Sequence, residues 1–284
     1  MLDGLAAMGV TRAEPPAAPV EVPFTRRFDI AGDYRIMVAV PPDPPPAGGF
    51  PVLYHLDGNA AFASLVEAMR LQTRRADATG VEPGIVVGIG YPIDGPFDHC
   101  RRTLDYTPPA APATLPARQD GLPWPPTGGA AAFLEVIETQ VKPLVAGLAP
   151  VDSARQALLG HSFGGLFALT CLFARPAAFA RTIALSPSLW WDDASMLRRL
   201  DVLAAGLPSA RPRVVIAVGG QEEPPERPGE MPDAARRRAH LMVTRARDFA
   251  ARLPGAEFHL FPEENHGSIV HAAIGLALRF AMAP

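Results

Sequence analysis

Hydrophobic positions change rhythm once along this chain. Over residues 24–30 and 34–40 apolar and polar side chains alternate, with Ala31-Gly32-Asp33 between the two runs. A period of two broken by a glycine-containing turn predicts an antiparallel hairpin. A Pro-rich turn follows over 41–49. Beyond it the apolar residues come in short unbroken runs: 50–56 (FPVLYHL), 84–89 (GIVVGI), Leu158-Leu159 leading into Gly160, 182–185 (TIAL), 214–218 (VVIAV) and 258–261. Runs of that length read as strands covered on both faces, the condition of a parallel sheet. Helical patterns separate them over 61–76, 130–146, 165–173, 193–203, 232–252 and 269–282. In the last, Ile269, Ala272-Ala273, Leu276 and Phe280 recur at helical spacing. A hairpin followed by alternating strands and helices predicts an α/β fold: a mostly parallel sheet with an N-terminal antiparallel hairpin and helices on both faces. Residues 1–23, rich in Ala and Pro, read as an arm, and 24–284 as one domain without repeats. The stretches 91–129 and 221–231 are long and Pro-rich for simple connections. Long loops at the ends of parallel strands are where sites are built.

Composition narrows the field without naming a chemistry. Of 284 residues, 48% are hydrophobic and 19% charged, as expected for a globular core. The net charge of −3 gives no electrostatic reason to expect nucleic acid or an anionic membrane as partner. Only Lys142 is a lysine among the 26 basic residues, an arginine bias from which no function follows. Cys100 and Cys171 are far apart, and no Cys/His spacing suggests zinc, so no metal or cofactor is expected. No apolar run is long enough to span a bilayer, and residues 1–23 lack the pattern of a signal peptide. The chain therefore reads as cytoplasmic, or as periplasmic if a leader precedes it.

The chemistry enters at Gly160-His161-Ser162-Phe163-Gly164, which matches G-x-S-x-G. The pattern is informative because an apolar strand precedes it and an apolar helix follows, as a nucleophile elbow requires. The prediction is an α/β-hydrolase fold with Ser162 at the tip of the turn. Serine needs a base, and in this fold the chain order is serine, acid, histidine. His266, in Asn265-His266-Gly267 before the last helix, is the candidate base; His259 falls within a strand, His271 on the final helix and His161 beside the serine. Glu222, in Gly219-Gly220-Gln221-Glu222-Glu223, is the candidate acid, with Glu223 as runner-up and Asp192 or Asp193 after the preceding strand as a further option. The acid would hold the imidazole in the required tautomer. For the oxyanion, the N–H of Phe163 supplies one donor, and the loop His55-Leu56-Asp57-Gly58-Asn59 the other, through Asn59 or else Gly58.

With these residues in view, the chain resembles the enterobactin (enterochelin) esterase family, which hydrolyses ester bonds of ferric siderophores. The segments that carry the resemblance are Tyr54-His55-Leu56-Asp57-Gly58-Asn59-Ala60, Val86-Val87-Gly88-Ile89-Gly90-Tyr91, Arg101-Arg102-Thr103-Leu104-Asp105-Tyr106-Thr107-Pro108, the elbow, Ser186-Pro187-Ser188-Leu189-Trp190-Trp191 and Asn265-His266-Gly267. Ser162 and His266 match the family nucleophile and base, whereas the acid is less uniform in the family. The resemblance implies a small-molecule ester as partner, a siderophore trilactone whose iron belongs to the substrate. It also implies an arginine near the site. Arg101 or Arg102 would pair with an anionic ferric catecholate, or else form a structural ion pair with Asp105. Trp190 and Trp191 would offer aromatic faces to the substrate, or pack in the core. The Pro-rich stretch 110–126 and the segment 222–233 have no counterpart in the resemblance. A general carboxylesterase or acyltransferase, and a catalytically silent siderophore-binding protein, are the rival readings.

Overall fold

The computed structural model describes residues 20–30, 33–118, 120–208, 213–226 and 238–283. Most of the expected arm, two residues of the hairpin turn and the 232–237 end of the expected helix over 232–252 lie outside the described residues.

Eight strands form one sheet in the order β1-β2-β4-β3-β5-β6-β7-β8. β1 (Thr25–Ile30) and β2 (Tyr34–Ala39) pair antiparallel, and β2 joins β4 (Ile85–Gly90) antiparallel. From β4 onward every pairing is parallel, through β3 (Phe50–Leu56), β5 (Val151–His161), β6 (Arg181–Leu185), β7 (Arg213–Gly219) and β8 (Ala256–Phe261). The expected α/β-hydrolase architecture is therefore present.

The unbroken apolar runs have a direct cause. In β3, Phe50, Val52, Tyr54 and Leu56 enter one core layer while Leu53 enters the other. The first layer packs under Phe133, Ile137, Val141 and Phe167. The second packs under Phe62, Leu65, Met69, Leu278 and Met282, from the helices Gly58–Gln72 and Ile274–Met282. A strand buried on both faces has no polar position to alternate.

Several boundaries differ from expectation. β5 runs eleven residues, because its first half, Val151–Gln156, is partly exposed and lacks the apolar signature of Ala157–Gly160. The helix expected over 61–76 is Gly58–Gln72, extended by a 3-10 turn and the short helix Ala76–Thr79. A π-helical turn, Ile137–Val141, interrupts the helix expected over 130–146. The last helix breaks at Ala273 into Ile269–Ala272 and Ile274–Met282. The stretch 91–129 holds a helix, His99–Tyr106, whose N-cap Asp98 accepts from the Arg101 N–H at 2.9 Å.

Strand order reverses between β3 and β5: the chain leaves β3 for β4 on one side, then returns to place β5 on the other. Crevices outside the carboxyl ends of strands at such a switch point are where α/β proteins bind ligands. The loops after β3 and β5 carry Asp57 and Ser162.

Candidate active site

Ser162 links β5 to the helix Phe163–Ala174 with φ 59° and ψ −117°. A non-glycine residue there is strained by roughly 1–3 kcal/mol and persists only where its surroundings hold it. Here the Ser162 N–H donates to Leu185 O at 2.9 Å, and its carbonyl accepts from Leu166 N at 3.0 Å and Ser188 N at 3.1 Å. The turn is so tight that a Cβ at Gly160 would lie 2.0 Å from Gly164 O. Glycine at the first motif position is a steric requirement.

The histidine comes from the loop after β8. Asn265 Oδ1 accepts from the N–H groups of Gly267 and Ser268, and Ser268 Oγ accepts from Asn265 N, which folds the loop around His266. Its Nε2 lies 3.0 Å from Ser162 Oγ, and its Nδ1 lies 2.5 Å from Glu222 Oε2. Glu222 sits on the turn after β7 and is 3% exposed. Its other oxygen accepts from the Gly219 N–H at 2.8 Å and from Ser186 Oγ. Gly219 sets that turn against the histidine loop: a Cβ there would meet Glu264 O at 2.4 Å, and Gln221 N donates to the same carbonyl at 3.0 Å.

The structure thus brings Ser162, His266 and Glu222 into one hydrogen-bonded line. The other acidic candidates are engaged elsewhere. Glu223 accepts from Thr244 N and Oγ1 at 2.8 and 2.6 Å. Asp192 accepts from Thr114 Oγ1, and Asp193 pairs with Arg198 at 2.6 Å. Of the other histidines, His161 lays its ring against His266, centroids 4.5 Å apart, and His259 lies on β8, 3.6 Å from Glu257. Burial, reinforced by the charge of His266 and Arg102, holds His161 well below the ordinary imidazole range.

Two helix N-termini meet at the serine. Phe163 opens the helix Phe163–Ala174, and Asn59 is the second residue of Gly58–Gln72. The first N–H groups of a helix have no intrahelical acceptor and favour negative charge. The Gly164 Cβ position is 3.5 Å from Leu56 Cβ and 3.8 Å from Asp57 Oδ2, so the loop after β3 lies beside the elbow. The Asn59 side chain is committed to Tyr91 N and O and to Ile93 O, leaving its backbone N–H as the group available to an oxyanion.

Neither arginine lies free over the serine. Arg102 is 9% exposed and makes a bidentate pair with Asp57, at 3.1 and 2.9 Å. Arg101 pairs with Asp33 at 3.1 Å and Asp105 at 3.5 Å. The ion-pair option is the one these contacts describe, with Arg101 as the partner of Asp105. Asp57 is in the left-handed region, φ 55°, so the Arg102 pair braces the loop that presents Asn59.

Trp190 and Trp191 stand beside the elbow: Phe163 lies 5.7 Å from one ring and 5.2 Å from the other. Trp191 is buried and Trp190 half-buried. Trp124, from the Pro-rich stretch 110–126 that has no counterpart in the resemblance, closes the same cluster at 5.3 Å from Trp191 and 6.0 Å from Phe163. An isolated tryptophan in a proline-rich loop is a usable signal. Ser186 and Ser188, from a segment that carries the resemblance, also reach the site: Ser186 Oγ donates to Glu222, and Ser188 Oγ is 3.4 Å from Ser162 Oγ. Both cysteines are free thiols.

A family model described as a putative esterase matches residues 29–268. The ferri-bacillibactin esterase of Bacillus subtilis is 38% identical over 251 residues, covering 88% of this chain and 85% of that protein. The siderophore triacetylfusarinine C esterase of Aspergillus fumigatus is 35% identical over 286 aligned positions, covering 92% of this chain and 94% of that one. The crystal structure of the BES protein from Bacillus cereus superposes with a TM-score of 0.80 at 34% identity, over 95% of this chain and all of that one. The matched span includes the elbow and His266, and the chain belongs to this esterase family, as a serine hydrolase of the α/β-hydrolase fold.

Proposed function

We propose that this chain is a siderophore esterase that opens ester bonds of a trilactone siderophore, with Ser162 as nucleophile, His266 as base and Glu222 as the acid that orients it. The observation that carries the reading is the unbroken line from Ser162 Oγ through His266 to the buried Glu222, at 3.0 and 2.5 Å. The names of two relatives, esterases of ferri-bacillibactin and of triacetylfusarinine C, support the substrate class.

Ser162 Oγ attacks the ester carbonyl and passes its proton to His266 Nε2. Glu222 accepts from Nδ1–H and stabilises the imidazolium. The N–H groups of Phe163 and Asn59 hold the oxyanion; loss of one such donor typically costs about 3–4 kcal/mol of transition-state stabilisation. The carbon–oxygen bond to the alcohol then breaks, His266 returns the proton to the leaving oxygen, and water resolves the acyl-enzyme by the same route. The Phe163, Trp124, Trp190 and Trp191 rings form an aromatic wall suited to aryl groups of the substrate, and the buried Trp191 Nε1 has no hydrogen-bond partner among the described residues. Any iron is carried by the substrate.

A mass-spectrometric time course with ferric and iron-free enterobactin tests the reading. Wild type should yield linear trimer and smaller fragments, and Ser162→Ala none. An intact trilactone beside rapid hydrolysis of p-nitrophenyl esters would leave a general carboxylesterase.

A further inference from the structure

The two groups assigned to the oxyanion sit on separate elements. The Phe163 N–H opens the elbow helix Phe163–Ala174, and the Asn59 N–H lies in the first turn of the helix Gly58–Gln72. Donors stabilise developing charge only when they are aimed in advance, so one element must be fixed against the other.

The helix His99–Tyr106 reaches both. Tyr106, its last residue, is fully buried. Its ring packs against Phe167 of the elbow helix, centroids 5.9 Å apart, and its hydroxyl oxygen accepts from the Asp57 N–H at 3.2 Å. A buried phenol is costly unless its hydroxyl is bonded, and a phenylalanine would fill the same apolar space. Arg102, one turn earlier, spans the same gap: its guanidinium pairs with Asp57 and lies 5.8 Å from the centre of the Phe163 ring.

Asp57 is the residue at stake. At φ 55° and ψ 46° it holds a conformation that non-glycine residues keep only where their neighbours impose it. Its bond to Tyr106 is buried, so loss of that hydroxyl leaves the N–H without its acceptor. Two residues on, Asn59 is pinned from the other side. Its Oδ1 accepts from Tyr91 N at 2.9 Å, and its Nδ2 donates to Tyr91 O at 3.0 Å and Ile93 O at 3.1 Å, just past β4. Gly90 makes room for this anchor, because a Cβ there would lie 1.9 Å from Asn59 Oδ1.

We propose that Tyr106 and the Asn59 side chain are positioning residues for the oxyanion. The Tyr106 hydroxyl holds Asp57 in its left-handed turn, and the Asn59 amide fixes the helix start to the end of β4. Together they aim the Asn59 N–H at the ester oxygen before that oxygen becomes charged. The inference rests on the catalytic reading given above and is independent of which acid and alcohol make up the ester.

Tyr106→Phe removes one oxygen atom and keeps the ring, whereas Asn59→Ala removes the amide and keeps the backbone N–H. Val145→Ala, which truncates a buried side chain on the helix Lys142–Ala146, is the destabilised control. Circular dichroism checks folding, and two variants keep the test decisive if one misfolds. The substrate is p-nitrophenyl acetate, and the inhibitor is an alkyl trifluoromethyl ketone, whose adduct on Ser162 carries the oxyanion. In both positioning variants kcat should fall by about tenfold or more with KM little changed, short of the loss on outright removal of a donor. Affinity for the ketone should fall by a similar factor. The acid limb of the kcat/KM pH profile, set by His266, should stay in place. Val145→Ala should lower the urea midpoint and leave all three readouts as in wild type. Wild-type kcat and ketone affinity in the folded variants would overturn the proposal. So would a loss accompanied by a displaced acid limb, which would put the effect on the line of Ser162, His266 and Glu222. Hydrolysis by Ser162→Ala would instead refute the catalytic reading itself.

Discussion

At the scale of single residues, the site is held by buried polar groups bonded to one another. Glu222 is buried and satisfied by Gly219 N–H, Ser186 Oγ and His266 Nδ1. Glu222→Gln keeps the shape but removes the charge that holds the tautomer, and kcat should fall by about 10⁴-fold with KM little changed, measured on p-nitrophenyl acetate. Arg102 and Asp57 form a buried bidentate pair, so Arg102→Met strands a carboxylate. Removing one partner of such a pair costs about 3–5 kcal/mol, and urea unfolding should show a loss of unfolding free energy of that size, read as a lower midpoint at unchanged slope. Much of the candidate site was legible in the sequence, but unevenly. Ser162 stood out because an elbow constrains its neighbours within five residues. His266 and Glu222 stood out because they follow strands whose apolar runs are easy to see. Ser186, Trp124 and the buried histidines stood out less, because their relevance depends on contacts 36 residues away in the case of Ser186 and Glu222, which no local spacing encodes.

At the scale of elements, strand ends carry the strain. Asp57, Ser162 and Ser186 have positive φ of 55°, 59° and 43°, each one residue beyond a parallel strand. The backbone turns sharply where functional groups must rise above the sheet. Gly160→Ala tests that packing: a Cβ lying 2.0 Å from Gly164 O forces the turn open, so the variant should lose several kcal/mol in chemical denaturation and most of its activity. The elements themselves were legible wherever burial imposed a period. The central strands announced themselves as unbroken apolar runs. The exposed half of β5 carries no such pattern, nor does His99–Tyr106, of which Arg102, Thr103, Asp105 and Tyr106 are the buried residues. Burying ionised and hydroxyl-bearing residues against ion-pair partners is a tertiary arrangement that leaves little periodicity to read.

At the scale of the whole molecule, the buried imidazoles couple folding to pH. His55 has an unperturbed value of 6.5 and is lowered to about 4 by burial, so the unfolded chain binds its proton first. Stability from this group is therefore complete above about pH 6.5 and is lost as pH falls toward 4. From His55 alone, about 2 kcal/mol should disappear between pH 8 and pH 5. His161, shifted in the same direction, should add to that loss. Urea denaturation at the two pH values checks this, and His55→Phe should flatten the dependence. The architecture also accounts for where the chemistry sits: the reversal of strand order between β3 and β5 opens a crevice, and the loops after β3, β5, β7 and β8 supply Asn59, Ser162, Glu222 and His266 to it.

The most direct measurement is to trap the covalent intermediate. Wild-type protein mixed with a trilactone siderophore, quenched within milliseconds and mapped by peptide mass spectrometry, should carry the opened acyl chain on Ser162, with no adduct in Ser162→Ala. Turnover of the trilactone without an adduct on Ser162, or with an adduct on another residue, would contradict the account.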